Sequence, residues 1–224
     1  MIITRPKPFT EIQSALQGKE KIFLIGCGLC ATLCQSGGQE QVIRMKDRLV
    51  QEEGKEITGL AVLEAACHVL RSKKELRAHR AELSASEAIL VMACGGGVQA
   101  VGGAVPEVPV VAALDSLFLG NIERFGQFEE RCSLCGGDCI LNKTGGICPL
   151  TACSKGLLNG PCGGMKDGRC ELDRQRDCAW VLIYERLKAT GGAEAAALSI
   201  RGPRDHSQGI KPRRLVIDRP GGEK

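Results

Sequence analysis

The chain has 224 residues, a net charge of +4 and 43% hydrophobic residues, which is enough for an ordinary buried core. Its excess charge is concentrated in residues 201–224, where seven Lys or Arg stand against three Asp or Glu without interleaved aromatics, so nucleic-acid binding gains no support. The longest apolar runs, such as Ile89-Leu90-Val91-Met92-Ala93, fall far short of the roughly 20 residues that span a bilayer. The start Met1-Ile2-Ile3-Thr4-Arg5-Pro6 lacks the basic, apolar and small-residue pattern of a secretory signal. A cytoplasmic protein without a membrane span is the expectation.

In chain order, Lys21-Ile22-Phe23-Leu24-Ile25-Gly26 predicts a buried strand entering a turn. Residues 31–52 carry Leu33, Val42, Ile43, Met45 and Leu49 at mostly helical intervals, which predicts a helix broken or delayed at Ser36-Gly37-Gly38. A second strand over 56–62 and a helix over 68–85 repeat the theme, and further strands are predicted over 88–93 and 110–114. This alternation predicts an α/β fold, a small parallel Rossmann-like or flavodoxin-like sheet with right-handed crossovers, over residues 1–120. From about Asn121 the strand period is lost, and residues 121–195 read as a cysteine-rich, loop-rich metal-binding module. It ends in a helix near Trp180–Leu187, stopped by Gly191-Gly192. Residues 196–224 read as a basic, extended tail.

Thirteen cysteines against 3% aromatics set the chemistry, because something other than large core side chains must order part of the chain. Disulfides in an oxidising compartment and metal thiolates in a reducing one compete as explanations. The signal-free start and the odd count favour metal.

Cys27, Cys30 and Cys34 follow the first predicted strand, Cys67 the second and Cys94 the third. Ligands in open parallel sheets bind outside the carboxyl ends of the strands. These five cysteines are therefore expected at one edge, where four would hold a 4Fe-4S cluster; which one is spared is left open by the spacing. Three rival readings stand beside this one: buried structural thiols at Cys67 and Cys94, a redox dithiol at Cys27 and Cys30, and a phosphate-cradling turn at Gly26, Gly28 and Ala31 or at Gly95-Gly96-Gly97.

Cys132, Cys135, Cys139, Cys148, Cys153, Cys162, Cys170 and Cys178 open with C-x2-C-x3-C, a spacing that returns thiolates to one ion or cluster. Eight thiolates suit two four-sulfur sites, holding two 4Fe-4S clusters or one cluster and one zinc. No histidine lies among them, and His68, His79 and His206 read as surface residues. Asp115 and Asp138 are the nearest acid–base candidates, and each reads as a loop or supporting carboxylate, so no catalytic residue is predicted.

The run from Cys132 to Lys188, with the upstream GCGLCATLCQSGG and ACGGGVQ, resembles the methylenetetrahydrofolate reductase C-terminal domain family. The resemblance implies a non-catalytic, metal-binding subunit in one-carbon metabolism, in the methyl branch of the reductive acetyl-CoA pathway. Its partner would be a flavoprotein reductase subunit of the MetF type that reduces methylenetetrahydrofolate to methyltetrahydrofolate, within a larger electron-transfer assembly. This chain would carry electrons to that flavin, with the eight later cysteines as the family's metal set and Cys27, Cys30, Cys34, Cys67 and Cys94 as its N-terminal set. A zinc-stabilised docking subunit without redox role and a ferredoxin-like adaptor of another dehydrogenase are the alternatives.

Overall fold

The computed structural model describes residues 1–137, 139–191, 202–203 and 211–215. The chain divides into two compact units, residues 1–129 and 130–224. Asp138, His206 and most of the basic tail lie outside the described residues.

The first unit opens with β1 (Ile2–Pro6) and α1 (Phe9–Ala15), followed by β2 (Lys21–Cys27), α2 (Cys30–Leu33), α3 (Gln39–Glu53) and β3 (Glu56–Leu63). After these come α4 (Val69–Leu76), α5 (Arg80–Ser84), β4 (Ala88–Met92), α6 (Gly95–Ala104), β5 (Val110–Ala112) and β6 (Leu114–Arg124), and β7 (Gln127–Cys132) runs across the division into the second unit. Four strands form a parallel sheet in the order β3-β2-β4-β5. The two central strands, β2 and β4, are buried on both faces from Ile22 to Cys27 and from Ala88 to Met92. That is why they read as unbroken apolar runs and not as alternating ones. Phe23, Leu24, Ile25, Leu90 and Val91 share one core with Val42 and Leu49 of α3 and with Ile12 and Leu16 at the end of α1.

The expected helix break is present, and its cause is a close approach of backbones. Gln35 adopts φ 55°, and a Cβ on Gly37 would lie 2.0 Å from the Met92 carbonyl oxygen. Ser36 is tied down as well, donating to the Ala31 carbonyl at 3.2 Å and sharing a 2.7 Å hydrogen bond with Thr4. Helix α3 then ends at Gly54, which takes the left-handed conformation of a C-terminal stop. The helix expected over 68–85 is divided into α4 and α5 by a short 3-10 turn at Arg77–His79.

Three features depart from the sequence-based expectation. The strand expected over 110–114 stops at Ala112, and Leu114 begins β6 of a second sheet, ordered β1-β6-β7, in which β1 and β6 run antiparallel. Asp115 is consequently a strand residue rather than a loop carboxylate. Lys7 approaches its Oδ1 at 2.8 Å, and the pair holds the Lys7 ammonium above its ordinary pKa, with Glu11 adding to the effect. Finally, α6 forms although half of it is glycine, a poor helix former. Packing supplies the reason: a Cβ on Gly97 would lie 2.7 Å from that of Ala93 and 3.1 Å from that of Ala66.

The second unit has little regular structure: α7 (Pro149–Ala152), α8 (Ala179–Ala189) and a 3-10 turn at Leu141–Lys143. Its buried hydrophobic residues, among those described, are Ile140, Cys178, Ala179 and Ile183. The backbone adopts positive φ at Leu134, Gly136, Gly137, Gly145, Gly146 and Asp167, among others, folding the loops tightly back on themselves. Among the described residues no helix is long and apolar enough to cross a membrane.

Because Leu90 is fully buried in the central strand β4, Leu90→Ala should lower the unfolding free energy of the first unit by about 2–5 kcal/mol. Urea denaturation followed by hydrogen exchange of the sheet amides measures this; an unchanged midpoint would contradict the assigned core.

Candidate metal centres

In the first unit the carboxyl ends of three parallel strands deliver cysteines to one edge. Cys27 is the last residue of β2, and its amide donates to the Gly37 carbonyl at 2.9 Å, while the Gly28 amide donates to Leu63 at the end of β3 at 2.8 Å. These bonds fix the turn that carries Cys30 into α2. Cys67 lies in the connection from β3 to α4. The next residue, His68, caps α4, its Nδ1 accepting from the Arg71 amide at 3.4 Å. Cys94 caps α6, and the Gly95 amide donates to Ser116 Oγ at 2.9 Å.

Electrostatics and packing place four of these thiols together. Although Cys67 is an exposed residue, partial desolvation of its thiol raises its pKa above the ordinary value, and the neighbouring Cys94, Cys27 and Cys30 push it further. A Cβ built on Gly96 would lie 3.6 Å from Cys67 Cβ and 3.9 Å from Cys94 Sγ. The fifth cysteine, Cys34, has its own contact: its thiol points at the Ile2 carbonyl oxygen, 3.8 Å away.

Of the glycines that suggested a phosphate turn, Gly26 and Gly97 are closely packed, a Cβ on Gly97 meeting that of Ala93 at 2.7 Å. Gly26 lies within β2, where a Cβ would meet the Gly37 carbonyl at 2.6 Å and Val42 at 2.7 Å, and Gly95-Gly96-Gly97 form the first turn of α6.

In the second unit the eight cysteines fall into two groups of four, each lining one open pocket. The first pocket is lined by Cys132, Cys135, Cys139 and Cys148, with Ile140, Leu141, Leu150 and Leu158 around them. The second is lined by Cys153, Cys162, Cys170 and Cys178, with Lys155, Glu171 and Trp180. Sequence order is kept, the first four cysteines in one pocket and the last four in the other. Four thiols are the donor set both of a zinc tetrathiolate and of a 4Fe-4S cluster, so the residue types present suit either group. Taken as single-ion sites, however, no three His, Cys, Asp or Glu among the described residues are arranged to hold a metal ion, and no disulfide joins any of the cysteines.

Hydrogen-bond donors reach a cysteine sulfur at both pockets. The Leu134 amide donates to Cys132 Sγ at 3.4 Å, an arrangement made possible by φ 52° at Leu134. Backbone amides of Leu172 and Asp173, with the Ser154 hydroxyl, hold the Cys170 thiol below its ordinary pKa. The Glu171 carboxylate accepts from both Lys155 and Cys162, and the Lys155 ammonium and the Cys162 thiol hold its pKa below the usual carboxylate range. Trp180 Nε1 donates to the Leu157 carbonyl at 3.0 Å, anchoring α8 beside the second pocket.

The two pockets share an element. Cys148 precedes α7 and Cys153 follows it, so one cysteine of each group sits at either end of a single helical turn. At 1.5 Å per residue the two positions are roughly 8 Å apart. Proline at the first helical position, with its preset φ, starts this turn directly after Cys148.

The opposite pKa shifts give an order of reactivity in the metal-free chain. Iodoacetamide at pH 7.5 should alkylate Cys170 several-fold faster than Cys67, although Cys67 is the more exposed of the two, because the thiolate is the nucleophile. Peptide mass spectrometry of a labelling time course reads the order; a faster Cys67 would contradict the thiol cluster at the sheet edge.

No curated protein and no solved structure matches the chain. A family model does: residues 111–207, which hold all eight cysteines of the second unit, are similar to the family described as "Methylene-tetrahydrofolate reductase C terminal".

Proposed function

We propose that this chain is the small, MetV-type electron-transfer subunit of a methylenetetrahydrofolate reductase. It holds iron-sulfur clusters, with zinc as the alternative occupant of a site, and passes electrons to the flavin of a separate MetF-type reductase subunit in the cytoplasm. The observation that carries this reading is the division of eight thiols into two pockets of four joined by the single turn of α7. Cys132, Cys135, Cys139 and Cys148 would hold one group, and Cys153, Cys162, Cys170 and Cys178 the other.

When bound, such clusters take up and release single electrons, with potentials set by cluster type, hydrogen bonds and burial. The chain's own residues supply the last two. Amides at Leu172 and Asp173 stabilise thiolate charge at Cys170, the Leu134 amide donates to Cys132 Sγ, and the apolar side chains of Ile140, Leu150 and Leu158 line the first pocket. Short spacing across α7 suits electron passage between the two sites. The Lys155–Glu171 pair adds no net charge at the second pocket. The flavin chemistry itself would belong to the partner.

Metal and acid-labile sulfide analysis of anaerobically purified chain, with electron paramagnetic resonance after dithionite reduction, tests the reading. About eight or more irons with matching sulfide and a reducible signal are expected. Zinc without iron would overturn the electron-transfer role and leave a docking subunit; reducible iron in a chain that does not associate with a folate-active flavoprotein would point to an adaptor of another dehydrogenase.

A further inference from the structure

Part of the basic tail returns to the first pocket. Arg213, which lies beyond the segment matched by the family model, donates from Nη1 to the Leu134 carbonyl at 3.1 Å. Leu134 stands between Cys132 and Cys135 of that pocket, and its amide donates to Cys132 Sγ at 3.4 Å. Both polar backbone groups of this residue are therefore engaged, one by a pocket sulfur and the other by a side chain 79 residues further along the chain.

The loop needs such a hold. Between Cys132 and Gly137 the backbone takes positive φ at Leu134, Gly136 and Gly137, of 52°, 85° and 140°. Glycine enters this region freely, but the Cβ of a leucine crowds the backbone there. Packing does not fix Leu134 either, since the residue is 53% exposed. A residue in a disfavoured backbone region persists only where its surroundings over-determine it. Here the surroundings are two hydrogen bonds, and the one from Arg213 is charge-assisted, because a guanidinium stays protonated throughout the ordinary pH range. Residues 211–215 contain Lys211, Arg213 and Arg214 and no acidic side chain, so no carboxylate beside Arg213 in sequence competes for it.

We propose that Arg213 is a positioning residue for the first centre: its guanidinium clamps the Leu134 carbonyl and keeps the loop from Cys132 to Cys135 in the turn that presents both sulfurs to the pocket. The proposal rests on the reading that Cys132, Cys135, Cys139 and Cys148 hold metal, and it deepens that reading by giving part of the tail a role within this chain.

The test is the rate of metal release to excess chromogenic chelator from the full chain, purified anaerobically, for wild type, Arg213→Ala, Arg213→Lys, Leu134→Gly and the double variant Arg213→Ala with Leu134→Gly. Far-ultraviolet circular dichroism checks that each variant stays folded. Arg213→Ala should release the metal of one centre, about four irons or about one zinc, several-fold faster than wild type, with the remaining metal unchanged. Arg213→Lys keeps a charged donor and should lie nearer wild type. Leu134→Gly should match wild type and, in the double variant, restore slow release, since glycine takes the turn without a clamp. A role of Arg213 unconnected with the loop would not be cancelled by a change at residue 134. Equal release from wild type and Arg213→Ala, or fast release that persists in the double variant, would overturn the clamp while leaving the electron-transfer reading in place. Zinc without iron would overturn the electron-transfer reading, and the release rates would still decide the clamp. A chain purified without metal would overturn both.

Discussion

The bond between cysteine sulfur and metal is the interaction on which the proposed reading of the second unit depends. From Glu130 to Gly191 the described chain buries few large apolar side chains, and its loops turn through glycines at positive φ. Fixing a backbone residue costs about 1–2 kcal/mol in conformational entropy, and a core built around Ile140, Ala179 and Ile183 offsets little of that across the unit. In the proposed reading, metal–thiolate bonds would supply what burial does not, because binding at a site absent from the unfolded chain adds directly to folding stability. The unit's architecture follows: short loops, a cysteine at each end of α7, and α8 anchored by Trp180 beside the second pocket.

The first unit solves a different problem by different means. Its sheet is stabilised by a conventional core, and the thiols are carried on its rim. Residues far apart in sequence, Cys27, Cys67 and Cys94, converge because parallel strands all present their carboxyl ends to one side. A rigid scaffold of this kind holds ligands in place without needing the metal to fold it. The two units would therefore respond differently to metal loss, with the sheet retaining its structure and the loops losing theirs.

Much of this was legible from residue order. Unbroken apolar runs identify the central strands because both faces of β2 and β4 are covered, and Ser36-Gly37-Gly38 marks the helix break because Gly37 has to approach the Met92 carbonyl. The strand-end position of Cys27, Cys67 and Cys94 follows from the same reading. The second sheet was not legible, since Ile2–Pro6 is a short segment whose partner, β6, lies more than a hundred residues away and is exposed at Ser116, Leu117 and from Asn121 to Arg124. Helix α6 was hidden by its glycines, and the close approach of one of them, Gly97, to Ala66 and Ala93 appears only in three dimensions. Spacing also left open which cysteine stands apart in the first unit and how the later eight divide, because both depend on the direction a loop takes after each ligand.

The central claim is that electrons leave this chain for a flavin, and anaerobic stopped-flow mixing tests it most directly. Dithionite-reduced chain, freed of reductant, is mixed with the oxidised flavoprotein reductase subunit while absorbance is followed near the flavin band. The account predicts that the flavin bleaches as the chain is reoxidised, two electrons leaving the chain for each flavin reduced. A flavin that stays oxidised while the two proteins form a complex would contradict it.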